Sequence, residues 1–353
     1  MVLLRTIHLR RNCLENYIGI DIHSKTSTYV VMSKHGEITH EGKIDTTEKN
    51  LIGFLRSIPS PKSLTFEETN VSQWAYCLLK DEVDKLIVCN PCYLPKKPGA
   101  KTDYLDALHL VMQLRAGNLY SVYHEDSVLM DLRTVVKYYD DVTERLANLK
   151  KQFKALLRSE AIECGSAYMT SRDGRKYLDL KNPVKQMIAK RIFDEACELE
   201  KKKANLRYEL ETNKLNLPFV EKLKTVPGVG PARAHAIAAF ISTGHRFENK
   251  HKLWSYAMLI KHRDMSDGAL IRVRAAKGRT ELKNAFIGAA LNIIISPQSS
   301  ALKEYYQYLI EIKKLDTRRA RKALARKVAA ICLNIMKTEK GYDDALVLST
   351  IKK

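Results

Sequence analysis

The chain has 353 residues, 45% hydrophobic and 28% charged, which allows a sizeable core and about two domains and excludes wholesale disorder. Its 60 Lys and Arg against 40 Asp and Glu leave a formal net charge of +20, which favours polyanionic partners because each phosphate contact releases condensed counterions. The longest apolar run, Phe286–Ile295, is interrupted by Gly288 and Asn292 and falls short of the ~20 residues a spanning helix needs, so no membrane role is expected.

Seven cysteines form no disulfide framework. Cys89 and Cys92 make one CxxC, but no second pair stands at zinc spacing, so they read as two unrelated thiols. The residues before Tyr17 include Arg5, Arg10 and Arg11 without a secretory apolar stretch. A reducing, cytoplasmic setting is expected.

Tyr17–Ile22, Thr28–Met32 and Ile38–Ile44 read as strands, with a turn at His35-Gly36 pairing the second and third. Lys49–Arg56 reads as a helix ended by Pro59 and Pro61, and Ser63–Phe66 as a fourth strand. Ser72–Glu82 follows as an amphipathic helix with Trp74, Leu78 and Leu79 on its apolar side. Lys85–Cys89 is a fifth strand, stopped by Asn90-Pro91, and a helix runs from about Thr102 to Ala116. Hairpin-ordered strands followed by alternating helix and strand predict a mixed α/β sheet of RNase H-like order. A doubly wound nucleotide-binding domain competes less well, since no Gly-rich phosphate loop follows the first strand.

Leu132, Val135, Tyr139, Val142, Leu146, Leu149, Phe153 and Leu156 alternate spacings of three and four, a heptad seam. After a loop at 165–173, a second helix over Val184–Asn213 carries Ile188, Ile192, Leu199, Leu206 and Leu210. The two read as a long helical hairpin that either closes on itself or joins protomers as a coiled coil. From Leu217-Pro218 the chain reads as helical to its end, with a basic run over Lys313–Lys327 that includes Arg318 and Arg319.

Four acids stand out. Asp21 lies near the end of the first strand, Glu67 ends the fourth, and Asp103 and Asp106 share one face at the start of a helix. In an RNase H-like sheet the first and fourth strands are neighbours, so these carboxylates would converge. Clustered carboxylates require a cation, and oxygen donors select Mg²⁺ or Mn²⁺. Glu68 is the rival of Glu67, and only one of them can point to the shared face.

Val226-Pro227-Gly228-Val229-Gly230-Pro231 reads as a helix–hairpin–helix turn whose Gly228 and Gly230 would let the backbone approach a phosphate, or as a plain tight connection. Arg272, Arg274, Lys277 and Arg279 follow a Gly-containing loop that carries Ser266. On the residues alone Ser266 reads as a surface serine, with His262 nearby.

Several of these stretches together resemble the DEDD transposases of the bacterial insertion-sequence family IS110, the bridge-RNA-guided recombinases, to which the Piv/MooV DNA invertases are related. The matching pieces are Tyr17-Ile18-Gly19-Ile20-Asp21, Phe66-Glu67-Glu68-Thr69-Asn70, Lys101-Thr102-Asp103-Tyr104-Leu105-Asp106-Ala107, Val226–Pro231, Ser255-Tyr256-Ala257, Met265-Ser266-Asp267-Gly268, and the stretch from Ala325-Arg326-Lys327 to Tyr342-Asp343. The chain departs from the family at Glu67-Glu68-Thr69-Asn70, where Glu-Ala-Thr-Gly is usual, and at Ser266-Asp267-Gly268-Ala269, where Ser-Gly-Gly-Lys is usual.

The resemblance implies a RuvC-like RNase H-fold catalytic domain over 16–124, a helical hairpin or coiled coil for oligomerisation over 125–216, and a mainly α transposase domain over 217–345. It implies a metal tetrad of Asp21, Glu67, Asp103 and Asp106, and Ser266 as the nucleophile that joins a DNA end. The completed site would draw the serine and the acids from different subunits of a dimer or tetramer. Donor and target DNA and a structured guide RNA would be the partners, bound by Lys101, Gly228, Gly230, Arg272, Arg274, Lys277, Arg279, Arg318 and Arg319, close to the nucleoid. An invertase, a RuvC-type nuclease of branched DNA and a non-catalytic nucleic-acid binder are the alternatives.

Overall fold

The computed structural model describes residues 15–95, 102–164, 174–212, 217–266 and 269–348. These fall into two compact units divided between Ser127 and Val128.

The first unit is built on a five-stranded sheet. Its strands are β1 (Asn16–Ile22), β2 (Thr26–Ser33), β3 (Ile38–Asp45), β4 (Lys62–Glu67) and β5 (Lys85–Cys89), in the order β3-β2-β1-β4-β5. β1 pairs antiparallel with β2 and β2 with β3, whereas β4 runs parallel to β1 and β5 parallel to β4. Helices α1 (Glu48–Ser57) and α2 (Ser72–Leu79) make the two crossovers, and α3 (Asp103–Arg115) follows β5.

The alternation in β1 assigns its two faces. Ile18, Ile20 and Ile22 are buried with Leu64, Phe66, Leu51, Leu55, Ala75 and Leu79, so this face meets α1 and α2. Gly19 lies on the opposite face, under α3. A Cβ on Gly19 would land on the Ala107 carbonyl oxygen and 2.6 Å from the Val111 nitrogen, so only glycine lets the helix approach this closely. Trp74 is 37% exposed rather than on the apolar side of α2, because Ser72, Ala75 and Leu79 set the buried face and Trp74 is turned about 100° away from Ala75.

The second unit is mostly helical, with α4 (Val128–Arg158), α5 (Pro183–Thr212), α6 (Pro218–Lys224), α7 (Pro231–Ile241) and α8 (Lys250–Tyr256), then α9 (Thr280–Ile295), α10 (Ala301–Glu311), α11 (Thr317–Thr338) and α12 (Asp344–Leu348). Between α8 and α9 stands an antiparallel pair, β6 (Lys261–Ser266) and β7 (Ala269–Ala275). This corrects the all-helical reading after Leu217. Arg272 and Arg274 alternate with Ile271 and Val273, a period of two that suits a strand and not a helix.

Helix α4 serves two cores. Leu132 and Val136 join α6, α7, α9 and α11, whereas Val142, Leu146, Leu149, Phe153 and Leu157 pack with Ala189, Phe193, Ala196 and Leu199 of α5. Ion pairs Lys150–Glu200 and Lys185–Glu160 show that α4 and α5 run in opposite directions. The α5 face is centred on Phe193 and Ala196, so Ile188, read as a seam residue, is 39% exposed.

Candidate active site and nucleic-acid interface

Thr102 accepts a hydrogen bond from the Leu105 backbone N–H and so caps α3. The cap makes Asp103 the first residue of the helix and keeps Asp106 in its first turn, where carboxylates suit the positive end of the helix dipole. Helix α3 lies on the Gly19 face of β1, and Asp21, two residues on, belongs to that same face. The parallel ladder pairs Gly19 with Thr65, so the pleat gives Glu67, two residues beyond Thr65, the same parity as Asp21.

His23, which sequence reasoning did not select, completes the inner cluster. Its Nε2 lies 3.1 Å from Asp21 Oδ2 and 3.9 Å from Asp103 Oδ1. Donor atoms of Asp21, His23 and Asp103 all fall within 4.8 Å of one another. In a six-coordinate site with bonds of about 2.1 Å, adjacent donors stand about 3.0 Å apart and opposite donors about 4.2 Å apart. The 3.1 Å pair matches adjacent donors, and small side-chain shifts would bring the third donor to the same cation. Lys43 Nζ stands 3.4 Å from Asp103 Oδ2. The signal for His23 was its i+2 spacing from Asp21, which keeps both on one face of an extended chain.

Asp21 is half-buried and its carboxyl is held above the ordinary aspartate value, first by burial and then by the charges of Asp103 and Asp106, against the opposing pull of His23. Asp106 thus acts on Asp21 through its charge while remaining outside the tight donor cluster. Glu67 pairs with Cys89 across β4 and β5, and the Cys89 thiol is pushed up to about 12 by its burial and then by the charge of Glu67.

Glu68 is engaged elsewhere. Its Oε2 lies 2.6 Å from Nε2 of His124, whose side chain is 4% exposed, and His124 Nδ1 lies 2.7 Å from Gln73 Oε1. The partner is 56 residues away in sequence, so the choice between the two glutamates could not be read locally.

In the second unit Ser266 is exposed at the end of β6, where it pairs with Ala269. Lys101, Asp267 and Gly268 lie outside the described residues. His262 is hydrogen-bonded to Ser255 Oγ at 3.0 Å. Asp264 holds both Arg272 at 3.3 Å and Arg274 at 3.2 Å, so these two arginines share one carboxylate and are only partly compensated along the hairpin. Arg279 donates to the Tyr256 hydroxyl, Lys277 is exposed, and Arg319 pairs with Asp316.

Gly228 has φ +79°, and a Cβ there would meet the Ala289 carbonyl and, at 2.9 Å, Ile293. Its glycine is thus required by packing on α9. Gly230 faces open space just before α7 and is the one of the two with room for an approaching ligand.

Residues 18–161 match the transposase family of DEDD IS110 type, and residues 220–307 match the family described as transposase IS116/IS110/IS902. A protein of Sinorhizobium fredii (strain NBRC 101917 / NGR234), "Putative transposase y4qE", is 22% identical over 303 residues, covering 82% of this chain and 75% of the relative. The chain belongs to the IS110 family of transposases. This IS110 transposase is therefore an enzyme of DNA recombination, and its DEDD-type region implies use of a divalent metal. The two carboxylates and one imidazole gathered at Asp21, Asp103 and His23 are a donor set that fits such an ion. Among the described residues no helix is long and apolar enough to cross a membrane.

Proposed function

We propose that this transposase cuts and rejoins DNA through an RNase H-like, RuvC-like site in its first unit and a serine nucleophile in its second. The observation that carries the reading is the convergence of Asp21 and Asp103, with His23 between them, at the end of the central strand of the sheet. The strand order β3-β2-β1-β4-β5, with only β2 antiparallel to its neighbours, supports the RNase H-like assignment.

Asp21, Glu67, Asp103 and Asp106 are the acids we assign to Mg²⁺ or Mn²⁺. A bound divalent ion supplies neutralisation of charge on the phosphate and on the leaving oxygen. Asp21 and Asp103 would hold it at the strand end, and Asp106 and Glu67 would add negative charge around it. Ser266 Oγ attacks the phosphorus of a DNA phosphodiester. The Oγ–P bond forms as the bond from phosphorus to the leaving deoxyribose oxygen breaks, the serine proton is lost and the leaving oxygen gains one. A hydroxyl of a second DNA end then reverses the step. Each exchange breaks one phosphoester and makes one, so rejoining needs no nucleotide energy source.

The family resemblance extends the proposal to a structured guide RNA and to a homo-oligomer in which α4 and α5 take part. Arg318, Lys277 and the open backbone at Gly230 are candidates for phosphate contacts. Arg272, Arg274 and Arg319 must share their charge with Asp264 and Asp316.

The test compares Ser266→Ala with Asp21→Ala, each with Mg²⁺ and its nucleic-acid partners, trapping protein–DNA adducts on denaturing gels. Loss of adduct and of recombination in both supports the serine recombinase, whether it acts by insertion or by inversion. Full cleavage by Ser266→Ala alone would establish a nuclease that uses water. Binding without cleavage by the unmutated protein would establish a non-catalytic binder.

A further inference from the structure

Helix α11 buries Ala320, Leu324, Ala325, Val328 and Ala329, which orients the rest of its first three turns. Arg318, Lys322 and Arg326 recur at i, i+4 and i+8 and therefore stack along one stripe. Like charges at this spacing destabilise a helix by a few tenths of a kcal/mol per pair. Two cations of other elements act on Lys322 through their charge. Lys261 opens β6, and Lys283 lies in the first turn of α9, which packs against α11. Lys322 sits half-buried among them, and its ammonium is held below the ordinary lysine value by burial and then by the charges of Lys261, Arg318, Arg326 and Lys283.

Several cations of the second unit have an acid partner within it. Lys150 meets Glu200, Lys185 meets Glu160, Arg207 meets Glu211, and Asp264 holds Arg272 and Arg274. Among the described residues, none of Lys261, Lys283, Arg318, Lys322 and Arg326 has an ion pair. The cluster is also not slack, because Arg326 lies over the Trp254 ring at 5.7 Å and Trp254 Nε1 donates to the Arg326 carbonyl at 2.9 Å. Five cations from three elements, without an ion pair among the described residues, form a site that an external polyanion can compensate.

We propose that Lys261, Lys283, Arg318, Lys322 and Arg326 form a seat for the phosphodiester backbone of the DNA on which Ser266 acts. The strand that carries Lys261 at one end carries Ser266 at the other. Five residues of extended chain span about 17 Å at ~3.3 Å each. Duplex DNA rises about 3.4 Å per base step, so the gripped backbone lies about five steps from the phosphate presented to Ser266. The placement relative to Ser266 rests on the nucleophile reading above, whereas the seat itself does not. DNA fixed at the base of the hairpin would hold the scissile phosphate at its tip.

The experiment measures binding of a mixed-sequence 30-base-pair DNA duplex against salt, using the full chain. Lys283→Gln with Lys322→Gln is compared with a control pair outside the cluster, Lys314→Gln with Lys340→Gln. Losing two phosphate contacts lowers the slope of log affinity on log salt by about 1.8, and the cluster pair should show this loss. Affinity at low salt should drop at least tenfold, while the control stays close to the unmutated protein. The melting temperature of the cluster pair should hold or rise, because two repelling charges have gone. A purely structural cluster would instead lose stability and leave the slope unchanged, which would overturn the proposal. Equal losses in the control pair would also overturn it. So would unchanged duplex binding alongside weakened binding of a single-stranded RNA of the same length.

The same measurement in Ser266→Ala should give the same slope change, since the seat does not need the nucleophile. An altered slope in the cluster pair, with no covalent adduct formed by the unmutated protein, would sink the nucleophile reading and leave the seat standing. Where an adduct forms, ethylation of phosphates about five steps from the joined one should block its formation in the unmutated protein and lose that effect in the cluster pair. Interference only at adjacent phosphates would refute the spacing.

Discussion

The two units present the groups proposed to react in opposite ways. In the first, Asp21 stands between the fully buried Ile20 and the buried Ile22, and Asp103 is tied to a capped helix lying on Gly19. In the second, Ser266 ends a two-stranded hairpin whose Met265, Ile271 and Val273 are all exposed. The contrast fits the chemistry proposed for each group. Carboxylates that repel one another must be forced together by a rigid scaffold that covers the cost. A neutral hydroxyl needs no such restraint until a substrate or another surface meets the hairpin.

The largest effect should come from breaking the scaffold beneath the acids. Gly19→Ala places a methyl against the Ala107 carbonyl and should cost about 2–3 kcal/mol in urea unfolding, and should lower metal affinity with it. Gly230→Ala meets open space and should change stability by less than about 0.5 kcal/mol. Equal costs at the two glycines would end the claim that the α3 contact is the demanding one.

A smaller effect sharpens the description of the first unit. Imidazole suits Mn²⁺ better than Mg²⁺. His23→Ala should therefore weaken Mn²⁺ binding, followed by electron paramagnetic resonance, by about tenfold, and Mg²⁺ binding by less. Unchanged Mn²⁺ affinity would show that His23 only fills the space between Asp21 and Asp103.

The second unit has its own buried acid, Asp140 on α4, whose pKa is pushed up to about 6 by burial and then by Glu281, against the pull of Lys203. The folded state binds this proton more tightly than the unfolded chain does, so the group's contribution is complete below about pH 4 and is lost as pH rises through about 6. Asp140→Asn should raise the melting temperature by a few degrees at pH 7 to 8, with the gain shrinking towards pH 4. A gain that grows as pH falls would contradict this. The smallest effect is expected at the proposed nucleophile, since Ser266→Ala on an exposed strand end should alter stability by under about 0.5 kcal/mol. A cost of 2 kcal/mol would mean that the serine is structural.

What the sequence alone determined was local. The alternation of β1, the cap at Thr102 and the i, i+3 spacing of Asp103 and Asp106 all act within a few residues, so strands, helix start and candidate acids were legible. The hairpin β6–β7 was also present, in the alternation of Ile271, Arg272, Val273 and Arg274, but basic residues masked a strand with no buried face. Only the tertiary structure decided the rest. That Glu68 belongs to His124 depends on a contact across 56 residues, and that Gly19 serves α3 depends on which face the helix covers. The sharing of Asp264 by Arg272 and Arg274, and the charge of Lys261 and Lys283 felt at Lys322, were set by pairing and packing between elements. A residue's type and spacing establish what it can do, but charge compensation is a property of neighbours in space, and those neighbours come from distant parts of the chain.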